Sequence, residues 1–199
     1  MGRVDGIAAR PVAFESPSAG YALDWELLRS LRERGVGFAT LTHAAGLSST
    51  GDAALDARPP FDEPYDLPAA TVAATLATQR HGGRVIAVGT TVVRALEHAA
   101  ALPCGLRAGA GRADQRIGAG TRLRVVDTIV SGTHERGTSH YELLHAFAPD
   151  AALQRADDAL ERHGYLTHEF GDSVLIERSR PRDAALDSGF PTLSPPEPV

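Results

Sequence analysis

Residues 84–97 read RVIAVGTTVVRALE, and no other stretch limits the fold so sharply. RVIAVG is a continuous apolar run of strand length, the pattern of a central strand covered on both faces. TTVVRALEHAAAL follows it directly and reads as a helix. A strand that enters a helix through one glycine commits the chain to a layered arrangement, because each element must bury its apolar side against the other.

The flanking segments continue the alternation. DWELLRSLRERG predicts a helix from Asp24 as N-cap to Gly35 just past its end, with Leu27, Leu28 and Leu31 as the apolar stripe. VGFATLTH predicts a strand that delivers His43 to its end, and Pro68 opens a helix, AATVAATLATQRHGG, stopped by Gly82 and Gly83. TRLRVVDTIVSG predicts a strand, SHYELLHAFA and DAALQRADDALERHG two helices, and DSVLIE a last strand. The expected fold is α/β, with a mixed, mostly parallel sheet and flanking helices. Residues 44–68 predict one long loop, and the glycine-rich residues 103–120 a mobile connection. The expected organisation is an irregular N-terminal segment over 1–20, a single α/β domain over 21–177, and a disordered proline-rich tail over 178–199.

Composition excludes several classes. The formal charge of −5 lacks the basic footprint of a strong nucleic-acid binder. The 20 basic residues are all arginine, so a single arginine says little about function. Cys104 is the one cysteine, which excludes an internal disulfide framework and a thiolate-rich zinc site. The first 20 residues hold no apolar leader core, and no 18-residue apolar run exists, so a cytoplasmic protein away from the membrane is expected.

In open α/β sheets, ligands bind beyond the carboxyl ends of strands, which selects HAAGLSST, GTT and SGTHERGTSH. At GTT, Gly89 permits a tight turn, and the helix N-terminus after it attracts an anion. The plain alternative is a helix start capped by Thr90 or Thr91, with Arg94 and Glu97 paired on the surface. His43, at a strand end, suits proton transfer, and equally suits a structural histidine. GTHERGTSH offers His134 or Glu135 as acid–base groups, Arg136 as an anion clamp, and Thr138 or Ser139 as a cap. The Ser139–Glu142 spacing is that of a capping box. No metal-binding histidine spacing occurs there, so no metal is expected. In HGYLTHEFGDS, Glu169, Phe170, Gly171 and Asp172 precede the last strand, either as site residues or as a polar turn.

Six blocks in fixed order are similar to one family. They are SPSAG (16–20), LTHAAGLSS (41–49), PPFDEPYDLP (59–68), RVIAVGTTVVRALE (84–97), VVDTIVSGTHERGTSHYELL (125–144) and HGYLTHEFGDSVLI (163–176). Over residues 14–176 the chain resembles the S-adenosylmethionine:tRNA ribosyltransferase-isomerases of queuosine biosynthesis, closest to divergent actinobacterial-type members. The resemblance implies that S-adenosylmethionine donates its ribosyl group to the aminomethyl group of a 7-deazaguanine base in tRNA, or to a related small acceptor. Adenine and methionine leave, and no metal takes part. A base removes a proton from the carbon beside the sulfonium. The resemblance implies His43, His134, Glu135 and Glu169 as catalytic residues, the histidines for proton transfer and Glu135 or Glu169 for the cation. It implies Gly89, Thr90, Thr91, Arg94, Ser139, Phe170, Gly171 and Asp172 as cofactor contacts, with Phe170 stacked on adenine. Family members read T-N-F-H-L-P where this chain reads SGTHERG, and H-V-G-x-G-T-F where it reads HAAGLSS. They also carry a longer N-terminal half with an inserted β-barrel domain. Expected partners are therefore tRNA and either a separate N-terminal half or a second copy. The alternative is a catalytically inactive half-enzyme that keeps the fold and serves as a partner subunit. A generic nucleotide-binding module is the third reading.

Overall fold

The computed structural model describes residues 18–44, 61–165 and 172–178. A short 3-10 turn, Ser18–Ala22, leads to helix α1, Trp25–Glu33. Asp24 caps α1, its carboxylate accepting from the Leu27 N–H at 2.7 Å, and Gly35 takes φ 82° just beyond, as the sequence requires. Strands β1 (Thr42–His43) and β2 (Glu63–Leu67) precede helix α2 (Ala69–Arg80). Strand β3 (Ile86–Val88) passes through Gly89 into helix α3 (Thr90–Ala101). Strands β4 (Gly109–Ala113) and β5 (Thr128–Gly132), helices α4 (Ser139–Leu144) and α5 (Asp150–Arg162), and strand β6 (Ser173–Glu177) complete the order.

The strands form two small sheets. In one, β2 lies between β1 and β4 and pairs antiparallel with both. In the other, β5 lies between β3, parallel to it, and β6, antiparallel to it. The α/β class stands, but antiparallel pairings outnumber the parallel one among the described residues, so "mostly parallel" is corrected to mixed. Helix α3 touches strands of both sheets, and its Val93, Ala95, Leu96 and Ala99 sit in the core with Leu67, Val126 and Ile129.

Two charged residues of α3 explain how it joins the sheets. Arg94 and Glu97 are both buried, so the expected surface pair between them does not exist. Arg94 Nη1 pairs with Glu63 at 2.8 Å, and Nη2 donates to the carbonyls of Phe61, Ala113 and Gln115. Burial pulls the Arg94 pKa down, and the Glu63 carboxylate opposes that shift. Glu97 accepts from three successive amides, Arg124 at 2.7 Å, Val125 at 2.9 Å and Val126 at 2.8 Å. Those amides serve Glu97 instead of a neighbouring strand, which is why the expected strand over 121–132 shortens to Thr128–Gly132.

Other expectations shift for identifiable reasons. The end of the expected 44–68 loop is β2, whose alternation of Glu63, Tyr65 and Leu67 inward is disguised by a buried charge. The expected 103–120 connection contains β4, where Tyr65 crosses the strand and a Cβ at Gly111 would overlap its ring. The strand expected over 36–43 is only Thr42–His43. Strand β3 pairs only with β5 among the described residues and leaves Ile86 about half exposed, so it is not covered on both faces. Residues 18–20, expected to be irregular, belong to the 3-10 turn Ser18–Ala22. Of the expected tail over 178–199, Arg178 is described and pairs with Asp127 at 2.7 Å; residues 179–199 and the remainder of the N-terminal segment lie outside the described residues. Within those residues no helix is long and apolar enough to cross a membrane.

Candidate active site

Parallel pairing of β3 and β5, with Val88 opposite Val130, sets their carboxyl ends side by side. Two of the three sequence-selected segments therefore meet there: Gly89–Thr91 after β3 and Thr133–His140 after β5. Gly89 is the N-cap of α3, at φ 98° and ψ 148°. Side chains rarely adopt that backbone, so the glycine is needed for conformation; a Cβ there would only touch Ala19, at 3.8 Å. The Gly89 N–H donates to the Val130 carbonyl at 2.8 Å and fixes the helix start against β5. No side chain caps α3, so the expected cap by Thr90 or Thr91 is not formed. Both threonines lie in the first turn, Thr90 buried and Thr91 half-buried, at the end of the helix that favours negative charge. Ala19, from the SPSAG block, is buried against the same corner.

The second segment is held at three points. His134 Nε2 lies 2.7 Å from the Ser131 hydroxyl, and its ring stands 5.0 Å from that of His140. Thr138, and not Ser139, caps α4: its hydroxyl accepts from the Tyr141 N–H at 3.2 Å and donates to the Glu135 carbonyl at 2.8 Å. Ser139 is the first helical residue, so the expected capping box is displaced by one position. Arg136, expected to clamp an anion, already has one in Asp157, at 2.8 Å; the same carboxylate oxygen accepts from Tyr141 Oη at 2.8 Å. Burial, and then Asp157, push the Tyr141 phenol up to about 12. Glu135 is exposed, on the solvent side of the segment.

Strand β6 brings a third segment to this edge. Ser173 pairs with Gly132, which places Asp172 beside the start of Thr133–His140. Glu169, Phe170 and Gly171, expected at this site, lie outside the described residues. His43 lies in the other sheet, on β1 opposite Tyr65, with β1 against α3. No hydrogen bond of the described residues joins His43 to Thr133–His140. Its Nδ1 is buried and has no partner among the described residues, and burial lowers its pKa. The ring is therefore neutral near pH 7, the state a proton acceptor needs.

Arg94, expected as a cofactor contact, is buried, with Nη1 and Nη2 paired between α3 and the β1–β2–β4 sheet and Nε without a hydrogen-bond partner among the described residues. Ser131, Tyr141 and Asp157 were missed by sequence reasoning. A serine at an inward position of an apolar strand was the available signal for the first. Asp157 and Arg136 are 21 residues apart, and no local pattern joins them. Among the described residues, no group of three or more histidine, cysteine or acidic side chains is placed to hold a metal ion.

The fold and this edge define an α/β protein with a site built from a helix N-terminus and a histidine-bearing segment at the carboxyl ends of parallel strands. Residues 7–176 match the model of the queuosine biosynthesis protein family, and the chain belongs to that family. It is 38% identical over 168 residues to the S-adenosylmethionine:tRNA ribosyltransferase-isomerase of Pelobacter propionicus, covering 83% of this chain and 49% of the relative. The protein of the same name from Chlorobium phaeobacteroides is 37% identical over 178 residues, covering 85% and 51%. The crystal structure of S-adenosylmethionine tRNA ribosyltransferase from Thermotoga maritima superposes with a TM-score of 0.68 at 30% identity, over 79% of this chain and 51% of that one. The chain thus spans about half the length of the relatives it matches.

Proposed function

We propose that this chain carries the S-adenosylmethionine-binding and ribosyl-transferring part of a tRNA ribosyltransferase-isomerase reaction. In that reaction the ribosyl group passes to the aminomethyl group of a 7-deazaguanine base in tRNA, and adenine and methionine leave. The observation that carries the reading is the meeting of the α3 N-terminus, the Thr133–His140 segment and Asp172 at one sheet edge. Family membership and the names of the relatives support it.

Gly89, Thr90 and Thr91 offer backbone N–H groups and a positive helix end to the methionine carboxylate or a ribose oxygen. His134, held by Ser131, is the proton-transfer group on the sheet edge, and His43 is the second. Glu135 or Glu169 compensates the sulfonium charge, Ser139 and Asp172 line the edge, and Phe170 and Gly171 are assigned to adenine recognition. Arg94 has no part in ligand contact here, because its buried guanidinium holds the helix to the sheet. No step requires a metal. tRNA is the acceptor-bearing partner, and a polypeptide equivalent to the other half of the family's length, or a second copy of this chain, supplies further contacts.

Calorimetry with S-adenosylmethionine, followed by chromatographic detection of adenine, tests the reading. The expected outcome is saturable binding and slow adenine release, both weakened by a Gly89→Val substitution. An absence of both, with the chain folded by circular dichroism, would refute it and leave the inactive half-enzyme as the reading.

A further inference from the structure

Ser131 is anomalous as a strand residue. It occupies an inward position of β5, two residues after Ile129, and only 1% of its surface reaches solvent. Ile129, the inward residue before it, is apolar, and packing alone would place valine or alanine at 131. A buried hydroxyl costs stability unless it is hydrogen-bonded, so its partner gives the reason for it. Among the described residues that partner is the His134 ring, with Oγ and Nε2 2.7 Å apart.

The geometry points to Ser131 as the positioning residue for His134; this inference rests on the proposed role of His134 in proton transfer. The sheet fixes Ser131 on both sides, through the Val130–Val88 pairing next to it and through its own pairing with Val174. Its hydroxyl therefore passes the rigidity of the sheet to a ring carried by a connecting segment. Engaging Nε2 fixes the plane and direction of the ring, whichever of the two groups donates. His140, whose ring lies 5.0 Å away and is tilted by 45°, limits its swing from the α4 side.

Nitrogen-15 NMR of the histidine rings in the full 199-residue chain tests this without reference to activity. In the unmodified chain, His134 Nε2 should report a hydrogen-bonded nitrogen. Ser131→Ala should move the Nε2 shift away from that value and alter the shifts of the ring protons. Ser131→Thr, which keeps the hydroxyl, should restore both. An Nε2 shift free of hydrogen bonding in the unmodified chain would overturn the assignment, with no variant needed. So would an alanine variant with unchanged shifts.

Adenine release supplies a second readout. Ser131→Ala should lower kcat roughly tenfold with little change in KM and should shift the pH profile, whereas Ser131→Thr should recover most of the rate. If the unmodified chain releases no adenine, the functional reading fails while the ring shifts still decide whether Ser131 positions His134. If adenine is released and the alanine variant matches the unmodified chain in both readouts, the positioning role fails and the functional reading survives.

Discussion

Replacing Glu97 tests how α3 is tied to the strand that carries the site. Its carboxylate is buried and is the acceptor for the Arg124, Val125 and Val126 amides. In Glu97→Ala the Arg124 amide can turn to water, because that residue is exposed, but the two valine amides stay in the core without an acceptor. Each orphaned buried donor costs about 1–3 kcal/mol, so with the lost packing the variant should be destabilised by roughly 3–5 kcal/mol. Glu97→Gln keeps one carbonyl oxygen for the two valines. It gives up the charge-assisted bonds and turns an NH2 group toward the Arg124 donor, for a cost of roughly 1–2 kcal/mol. Urea unfolding followed by far-ultraviolet circular dichroism is the suitable assay. Trp25, the single tryptophan, is 59% exposed on α1 and reports poorly on the core. The reasoning fails if alanine and glutamine cost the same, or if both fall within about 0.5 kcal/mol of the parent, the range of ordinary surface substitutions.

Three further outcomes are expected. Arg94→Ala should cost about 3–5 kcal/mol in the same assay because it removes the guanidinium that balances the buried Glu63 carboxylate, and a double change to Arg94→Met and Glu63→Leu should recover most of that loss. Gly111→Ala should push the Tyr65 ring off β4, break its 2.9 Å hydrogen bond to His98 Nδ1 and destabilise by about 1–3 kcal/mol; ring-proton shifts of Tyr65 would register the move. His43 has a folded pKa below its ordinary value of about 6.5, so the unfolded chain binds the proton first as pH falls. Stability should be full above that value and decline below it, and His43→Gln should flatten this part of a plot of urea midpoint against pH between about 7.5 and 5.

Local signals in the sequence located every helix among the described residues longer than a turn, because caps, glycine stops and apolar stripes act within a few residues. Asp24, Gly35, Pro68 and Gly82 mark boundaries where expected. Strands fared less well, since pairing is set by distant neighbours: β4 reads GAGRA and is a strand through its ladder with β2, where Tyr65 lies over Gly111. The site was legible as segments and not as contacts. Gly89 and His134 could be read from strand ends, whereas Ser131 and Asp157 take their meaning from partners brought in by folding. The sequence also suggested that Arg94 and Glu97, one turn apart, would pair with each other; burial separated them and turned Arg94 to the β1–β2–β4 sheet and Glu97 to the lead-in to β5.

That separation governs how the chain assembles. Arg94 finds Phe61 and Glu63 about thirty residues earlier and Ala113 and Gln115 about twenty residues later, while every partner of Glu97 comes later, at 124–126. During synthesis, the earlier partners are already present when α3 leaves the ribosome, so its Arg94 side can dock first. Its Glu97 side must keep facing water for nearly thirty residues more, because a carboxylate cannot enter an apolar layer ahead of its donors. A chain cut short of Val126 would hold α3 by one flank only. The smallest piece able to close this core on its own therefore extends past the lead-in to β5.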